Sequence, residues 1–133
     1  MTTRTTFNTV PPPTEDPARP SPDAEPSLSA RISNRMVQLQ KEFFGKGPTK
    51  AKTYIVDDLI VVVLQGGFTA VEKTLLAEGR GDAVTQQRST FQEVMQDRFT
   101  EAISELTDRT VAAYLSATHE SRELSVETFL LER

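Results

Sequence analysis

The chain reads as an α+β domain, a two-layer sandwich in which two β-hairpins form one four-stranded antiparallel sheet backed by helices. Three observations predict it. Apolar residues recur at helical spacing over 28–44 and again over a long stretch after residue 82. Two pairs of short, alternating or β-branched runs lie at 52–64 and 110–131. Glycine, proline and acidic residues punctuate the boundaries, giving the order α-β-β-α-α-β-β.

The first helix is marked by Leu28, Ile32, Met36, Leu39 and Phe43 on one face. Ser27 can cap its start, and Gly45 with Pro48 beyond it ends it. Lys52 to Val56 and the continuously apolar Leu59 to Leu64 make the first hairpin, with Asp57-Asp58 as its turn. The second strand is apolar on both sides, which places it centrally in the sheet. Thr69-Ala-Val-Glu72 spells a capping box, opening a short helix that Gly79 closes. Asp82 is then expected to cap a long helix whose stripe is Val84, Phe91, Met95, Phe99, Ala102, Ile103 and Leu106. At about 1.5 Å per residue its ~25 residues span ~37 Å, enough to cover a sheet face and offer a stripe to a second subunit. Thr110 to Ser116 and Ser125 to Leu131 form the second hairpin, with His119 in the loop between them.

Seven of the eight prolines lie at or before Pro26, among Thr, Ser, Asp and Glu. Such a segment buries too little apolar surface to offset its ordering entropy, so residues 1–26 are expected to be a disordered tail and 27–133 the folded domain. The longest apolar run is strand-sized, well short of the ~18 residues of a membrane-spanning helix. No secretory signal is evident at the start of the sequence. With no cysteine there is no disulfide framework and no thiol chemistry, which fits a cytoplasmic protein.

The net charge is −4, half of it on the segment up to Ser27. That balance argues against non-specific nucleic-acid binding. Locally the sign reverses, because Lys41, Lys46, Lys50 and Lys52 face only Glu42. In Gly45-Lys46-Gly47-Pro48-Thr49-Lys50 the glycines let backbone amides approach an anion and the lysines supply charge. Lys46, Gly47, Thr49, Lys50 and Lys52 are therefore the candidate ligand-binding residues, the ligand being a small anion. The alternative role for the loop is a helix terminator whose lysines complement the helix dipole. It is not a P-loop, since the spacing is absent and the loop leads from helix to strand.

No catalytic residues, metal ligands or cofactor are indicated. A small enzyme or metal-dependent protein would have to use Asp57, Asp58 and His119 with its neighbours Glu120 and Glu123, but no familiar zinc spacing or nucleophile context is present. Turn residues and an ordinary loop histidine are the preferred reading. Arg80-Gly81-Asp82 matches an adhesion tripeptide but is too short to be specific, and Phe91, Met95 and Phe99 at helical spacing read as core.

Several motifs in one order resemble the MpsC family. They are Ile-Ser-Asn at 32–34, Gly-Lys-Gly-Pro-Thr-Lys-Ala at 45–51, Tyr-Ile-Val-Asp-Asp-Leu at 54–59, Gly-Gly-Phe-Thr at 66–69 and Glu-Lys-Thr-Leu at 72–75. Further along come Gly-Arg-Gly at 79–81, Phe-Gln-Glu-Val-Met at 91–95, Leu-Thr-Asp-Arg at 106–109 and Val-Glu-Thr-Phe-Leu-Leu-Glu at 126–132. The resemblance covers roughly Leu28 to Glu132. It implies a bacterial, cytoplasmic accessory domain of a sodium-translocating, membrane-potential-generating system, with membrane transporter subunits as partners and a place at the inner face of the membrane. The family brings no settled catalytic residues. Its loop before the last strand often runs Ser-Asp-Asn-His; here Ser116-Ala117-Thr118-His119 keeps the histidine and lacks the acid and amide. The expectation is a non-enzymatic regulatory or binding domain, a homodimer, linked to sodium or inorganic-carbon transport; a purely structural oligomerisation module is the other alternative.

Overall fold

A computed structural model of the chain describes residues 26–133. The proline-rich segment expected to be a disordered tail lies, up to residue 25, outside the described residues. Helix α1 spans Leu28–Phe44, strands β1 and β2 span Lys50–Val56 and Leu59–Gln65, and helices α2 and α3 span Ala70–Ala77 and Gly81–Thr107. Strand β3 covers Val111–His119, a 3-10 turn Glu120–Arg122, and β4 Leu124–Leu131. The four strands form one antiparallel sheet in the order β1-β2-β4-β3. The α-β-β-α-α-β-β order and the two-layer α+β class are as the sequence predicts.

Local chemistry explains the boundaries. Ser27 Oγ accepts from the Ala30 amide, and Gly45 takes a left-handed φ of 95° while its N–H bonds the Lys41 carbonyl. At α2 both halves of the capping box are made: the Glu72 amide donates to Thr69 Oγ1 at 3.2 Å and the Thr69 amide to Glu72 Oε1 at 2.8 Å. At α3 the cap differs from expectation. Arg80 occupies the N-cap position without a side-chain cap, and Asp82 lies inside the first turn, paired with Arg80 at 3.1 Å. An acid there still complements the positive end of the helix dipole.

Strand β3 continues to His119, three residues beyond Ser116, because its ladder with β4 persists through Thr118↔Ser125 and His119↔Leu124. The tight 3-10 turn then suffices to reverse the chain. His119 is accordingly the last residue of a strand rather than part of a loop. A bulge between Val111 and Ala113 adjusts the alternation at the other end of β3.

The two hairpins join through β2 and β4, in register from Leu59↔Leu130 to Gln65↔Leu124. All the helices that touch the sheet touch one side of it. Ile32 and Met36 of α1, Met95, Phe99 and Ile103 of α3, Ile60, Val62 and Leu64 of β2, and Phe129 and Leu131 of β4 make the core. On α1 the inward stripe is Ile32, Met36 and Gln40, whereas Phe43 stays 42% exposed with the Arg98 guanidinium 4.4 Å from its ring centroid. Among the described residues no helix is long and apolar enough to cross a membrane.

Candidate functional site

The lysine-bearing corner is built by two glycine-rich crossings. Gly47 runs under Gly67: a Cβ on Gly67, whose φ is 79°, would lie 2.5 Å from the Gly47 carbonyl oxygen, and one on Gly47 would press on Lys41 and Val37 at 3.3 Å. Gly67 is therefore required by the close approach of two backbones, while Gly47 fits tightly against α1. Thr49, just before β1, donates from both its amide (2.8 Å) and its hydroxyl (3.1 Å) to the Gln65 carbonyl. Of the five candidate ligand-binding residues, then, Gly47 and Thr49 already have structural roles.

The three lysines differ in placement. Lys46 is exposed in the loop itself. Lys50 and Lys52 project from the outer strand β1 toward the side of the sheet that no helix covers, in register with Gln65 and Val63. There they line a shallow open groove of about 650 Å³ with Thr49, Tyr54, Gln65 and Leu124, and the Lys52 ammonium stands 5.8 Å from the Tyr54 ring centroid. Lys46 and Gly47 do not line it. None of the three lysines pairs with a carboxylate among the described residues.

Asp57, Asp58 and His119 are not brought together. Asp57 takes a left-handed φ of 53° in the β1–β2 turn. Asp58 is clamped by Arg109 at 2.7 Å and Arg133 at 2.9 Å, which ties the turn to the start of β3 and the C-terminal segment. The hydrogen bond from Arg109, with Arg133 adding attraction, holds the Asp58 carboxyl below the usual range. His119 is at the opposite end of the sheet, level with Lys50. Six strand residues at about 3.3 Å each put roughly 20 Å between the two ends, which removes that trio as a catalytic constellation. His119 Nδ1 instead meets Ser121 Oγ at 3.2 Å. Among the described residues no group of three or more His, Asp or Glu is arranged to hold a metal ion.

Sequence reasoning missed a polar network sealed beneath α3. Arg88 and Glu72 form a side-on pair, Nε to Oε2 at 2.7 Å and a terminal nitrogen to Oε1 at 2.9 Å, both side chains at most 5% exposed. The guanidinium is sandwiched between the rings of Phe68 (3.9 Å) and Phe44 (4.4 Å). Further along, Glu127 is fully buried and accepts from Tyr114 Oη, from Ser116 Oγ at 2.9 Å and from Gln92 Nε2 at 3.3 Å. Burial pushes the Glu127 carboxyl above its usual range, although those hydroxyls and the Arg88 charge pull the other way. The same burial, with the Glu127 charge beside it, raises the Tyr114 phenol. Both carboxylates have partners, so the network reads as internal scaffolding that fixes α2 and α3 on the sheet.

The signal available in the sequence was slight. Arg88 and Gln92 are four apart on the buried stripe of α3, and Glu127 shares a face of β4 with Ser125, Phe129 and Leu131.

The remaining feature is the uncovered face of the sheet. Cross-strand register arranges it in rows. One row, Lys50, Gln65, Leu124 and His119, is largely polar. In the next three rows ten of twelve positions are apolar, the exceptions being Lys52 and Thr128. Leu115 is 70%, Val56 61%, Tyr54 51% and Leu130 46% exposed. The long helix, expected to offer the spare apolar stripe, does not: outside its buried side it carries Gln86, Gln87, Ser89, Glu93, Gln96 and Asp97, with Val94 the exposed large apolar residue.

No solved structure matches the chain. Two proteins of Bacillus subtilis (strain 168) are similar to it. "Uncharacterized protein YrhF" is 28% identical over 98 residues, covering 72% of this chain and 80% of that protein. "Uncharacterized protein YbcI" is 28% identical over 89 residues, covering 66% and 72%. The family described as "Na+-translocating membrane potential-generating system (MpsC)" matches residues 25–133, which is all of the described fold, and the chain therefore belongs to the MpsC family.

Proposed function

We propose that the chain is a non-enzymatic accessory domain that works by binding, using its lysine-bearing corner to engage an anionic group on a small ligand or on a partner subunit of an ion- or inorganic-carbon-translocating system. The observation that carries this reading is the grouping of Lys46, Lys50 and Lys52, none paired with a carboxylate among the described residues, at one corner of an acidic protein. Lys50 and Lys52 converge on one groove with Tyr54 and Gln65, and a rigid sheet holds them there. Ammonium groups on flexible stems suit an anion without demanding one geometry. The family description supports a setting in a sodium-translocating system, and this reading puts the domain at the inner face of the membrane, beside that system's membrane subunits. The wide separation of His119 from Asp57 and Asp58 favours binding over catalysis.

The test is a thermal-shift screen of bicarbonate, phosphate, nucleotides and acidic peptides, repeated on Lys46→Glu/Lys50→Glu. A ligand at a hundredfold excess over its Kd stabilises by ~2.7 kcal/mol, a readily measured rise in Tm. The reading expects an anion whose stabilisation disappears in the charge-reversed protein. Anion effects and partner capture that survive charge reversal unchanged would leave the corner a helix terminator and nothing more.

A further inference from the structure

We infer that the uncovered apolar face of the sheet is the interface with a second copy of this chain, packed sheet against sheet about a two-fold axis running parallel to the strands. The proposal goes beyond the lysine corner: the partner copy would lie over the groove that Lys50 and Lys52 line, leaving those two side chains at its rim.

The first argument is area. Four strands ~4.8 Å apart and seven residues long at ~3.3 Å present a face of roughly 19 by 23 Å. Two such faces bury roughly 900 Å² before side-chain relief is counted, close to the ~1,000 Å² that a specific interface needs. An apolar patch of that extent is on the scale at which exposed apolar surface is often functional.

The second argument is what the rest of the chain cannot do. Residues 1–25, the part outside the described fold, carry Met1, Phe7, Val10, Ala18 and Ala24 as their apolar side chains apart from prolines. That set is too small and too widely spaced to cover ten apolar positions in three rows. The outward side of α3 is polar and offers no match for the face either.

The third argument is self-complementarity, which a two-fold interface demands. An axis parallel to the strands exchanges β1 with β3 and β2 with β4 while keeping each row opposite itself. Leu59 then meets Leu130 of the partner subunit, Val63 meets Val126 of the partner subunit, and Tyr54 meets Leu115 of the partner subunit. The polar row meets the polar row at one end, so Lys50 and Lys52 stay at the outer edge and the two copies' lysines stand at opposite corners. An axis across the strands would instead set Lys50 against Val56 and Gln65 against Leu59, burying charge and amide on apolar side chains. Aligned sheets stack with a rotation of about 30°, which leaves the pairs beside the axis in closest register.

The experiment uses the full chain. Sedimentation equilibrium of the wild type is expected to give twice the 14.8 kDa chain mass at micromolar concentration. Leu115→Glu and Val61→Lys, both outside the buried core, are expected to weaken the dimer at least a hundredfold while circular dichroism stays native. Because the chain has no cysteine, Tyr54→Cys and Leu115→Cys proteins can be mixed and treated with a short bismaleimide. Cross-links between the two variants are expected. A monomeric wild type, or a dimer indifferent to Leu115→Glu and Val61→Lys, would overturn the proposal. A chain that dimerises only after residues 1–25 are removed would also overturn it, giving the face to its own terminus. So would a monomer that binds lipid vesicles through Leu115. Efficient cross-linking of Tyr54→Cys to itself would overturn the direction of the axis. Lys46→Glu tests the binding corner separately and is expected to leave the dimer intact.

Discussion

Phe129 and Leu130 are neighbours on β4, yet the first is fully buried under the helices and the second is 46% exposed on the far side. The two sides of this one sheet are built on different plans. The covered side mixes apolar packing with the Glu72–Arg88 pair and the Glu127 cluster, each polar group satisfied inside the protein. The open side is apolar over three of four rows and has no partner among the described residues. Burial of polar groups under α3 holds the helices to one arrangement, because every donor and acceptor has one place to go. The open side has no such selectivity of its own; what it offers is area. A covered face that is polar in part and an open face that is mostly apolar depart from what a free-standing two-layer domain should show.

That contrast can be broken most severely from the covered side. Arg88→Ala leaves Glu72 as an unpaired buried charge, and urea unfolding should show a loss of about 3–5 kcal/mol. Phe129→Ala opens a cavity between α3 and the sheet, with an expected cost of about 3–5 kcal/mol by the same measurement. Leu115→Ala, on the adjoining strand but the open side, should change the stability of the dissociated monomer by no more than about 0.5 kcal/mol. A similar loss at both positions would mean that the two sides are not distinct.

Glu127 sharpens the comparison through pH. Its carboxyl is held above the usual range by burial, so the native state keeps that proton more tightly than the unfolded chain does. Its contribution to stability is therefore greatest in acid and declines as pH rises from about 4.5 through the raised value. Glu127→Gln should remove that decline, visible as a flatter dependence of the urea midpoint on pH. The smallest effect belongs to the exposed corner: Lys46→Glu should move the unfolding free energy by no more than about 0.5 kcal/mol while reducing any anion-dependent rise in Tm.

Much of the fold was legible in the sequence because its signals are local. Ser27, Gly45, Thr69 and Glu72 state their capping roles within four residues of the groups they satisfy, and the order of helices and hairpins follows from periodicity alone. The lysine corner was visible for the same reason, as charge gathered in a short segment. The open face was not. β2 is apolar on both sides and β4 alternates Val126, Thr128 and Leu130 against Ser125, Glu127, Phe129 and Leu131, so neither strand says which side the helices take. The polar members of the second set even point toward the wrong answer.

By itself the sequence determined the elements, their order, the caps of α1 and α2 and the family, since each depends on contacts between residues near in the chain or on a pattern of motifs. Tertiary structure decided that β2 pairs with β4, that Glu127 goes inside with Tyr114 and Ser116 as its donors, that Arg88 closes on Glu72, and that one sheet surface is left without a cover among the described residues. Those outcomes hang on partners eleven to seventy-odd positions away only once the strands have chosen a side, and strand alternation gives two sides without ranking them. The ranking came from α1 and α3, whose buried stripes can satisfy the polar groups of one side and not of the other.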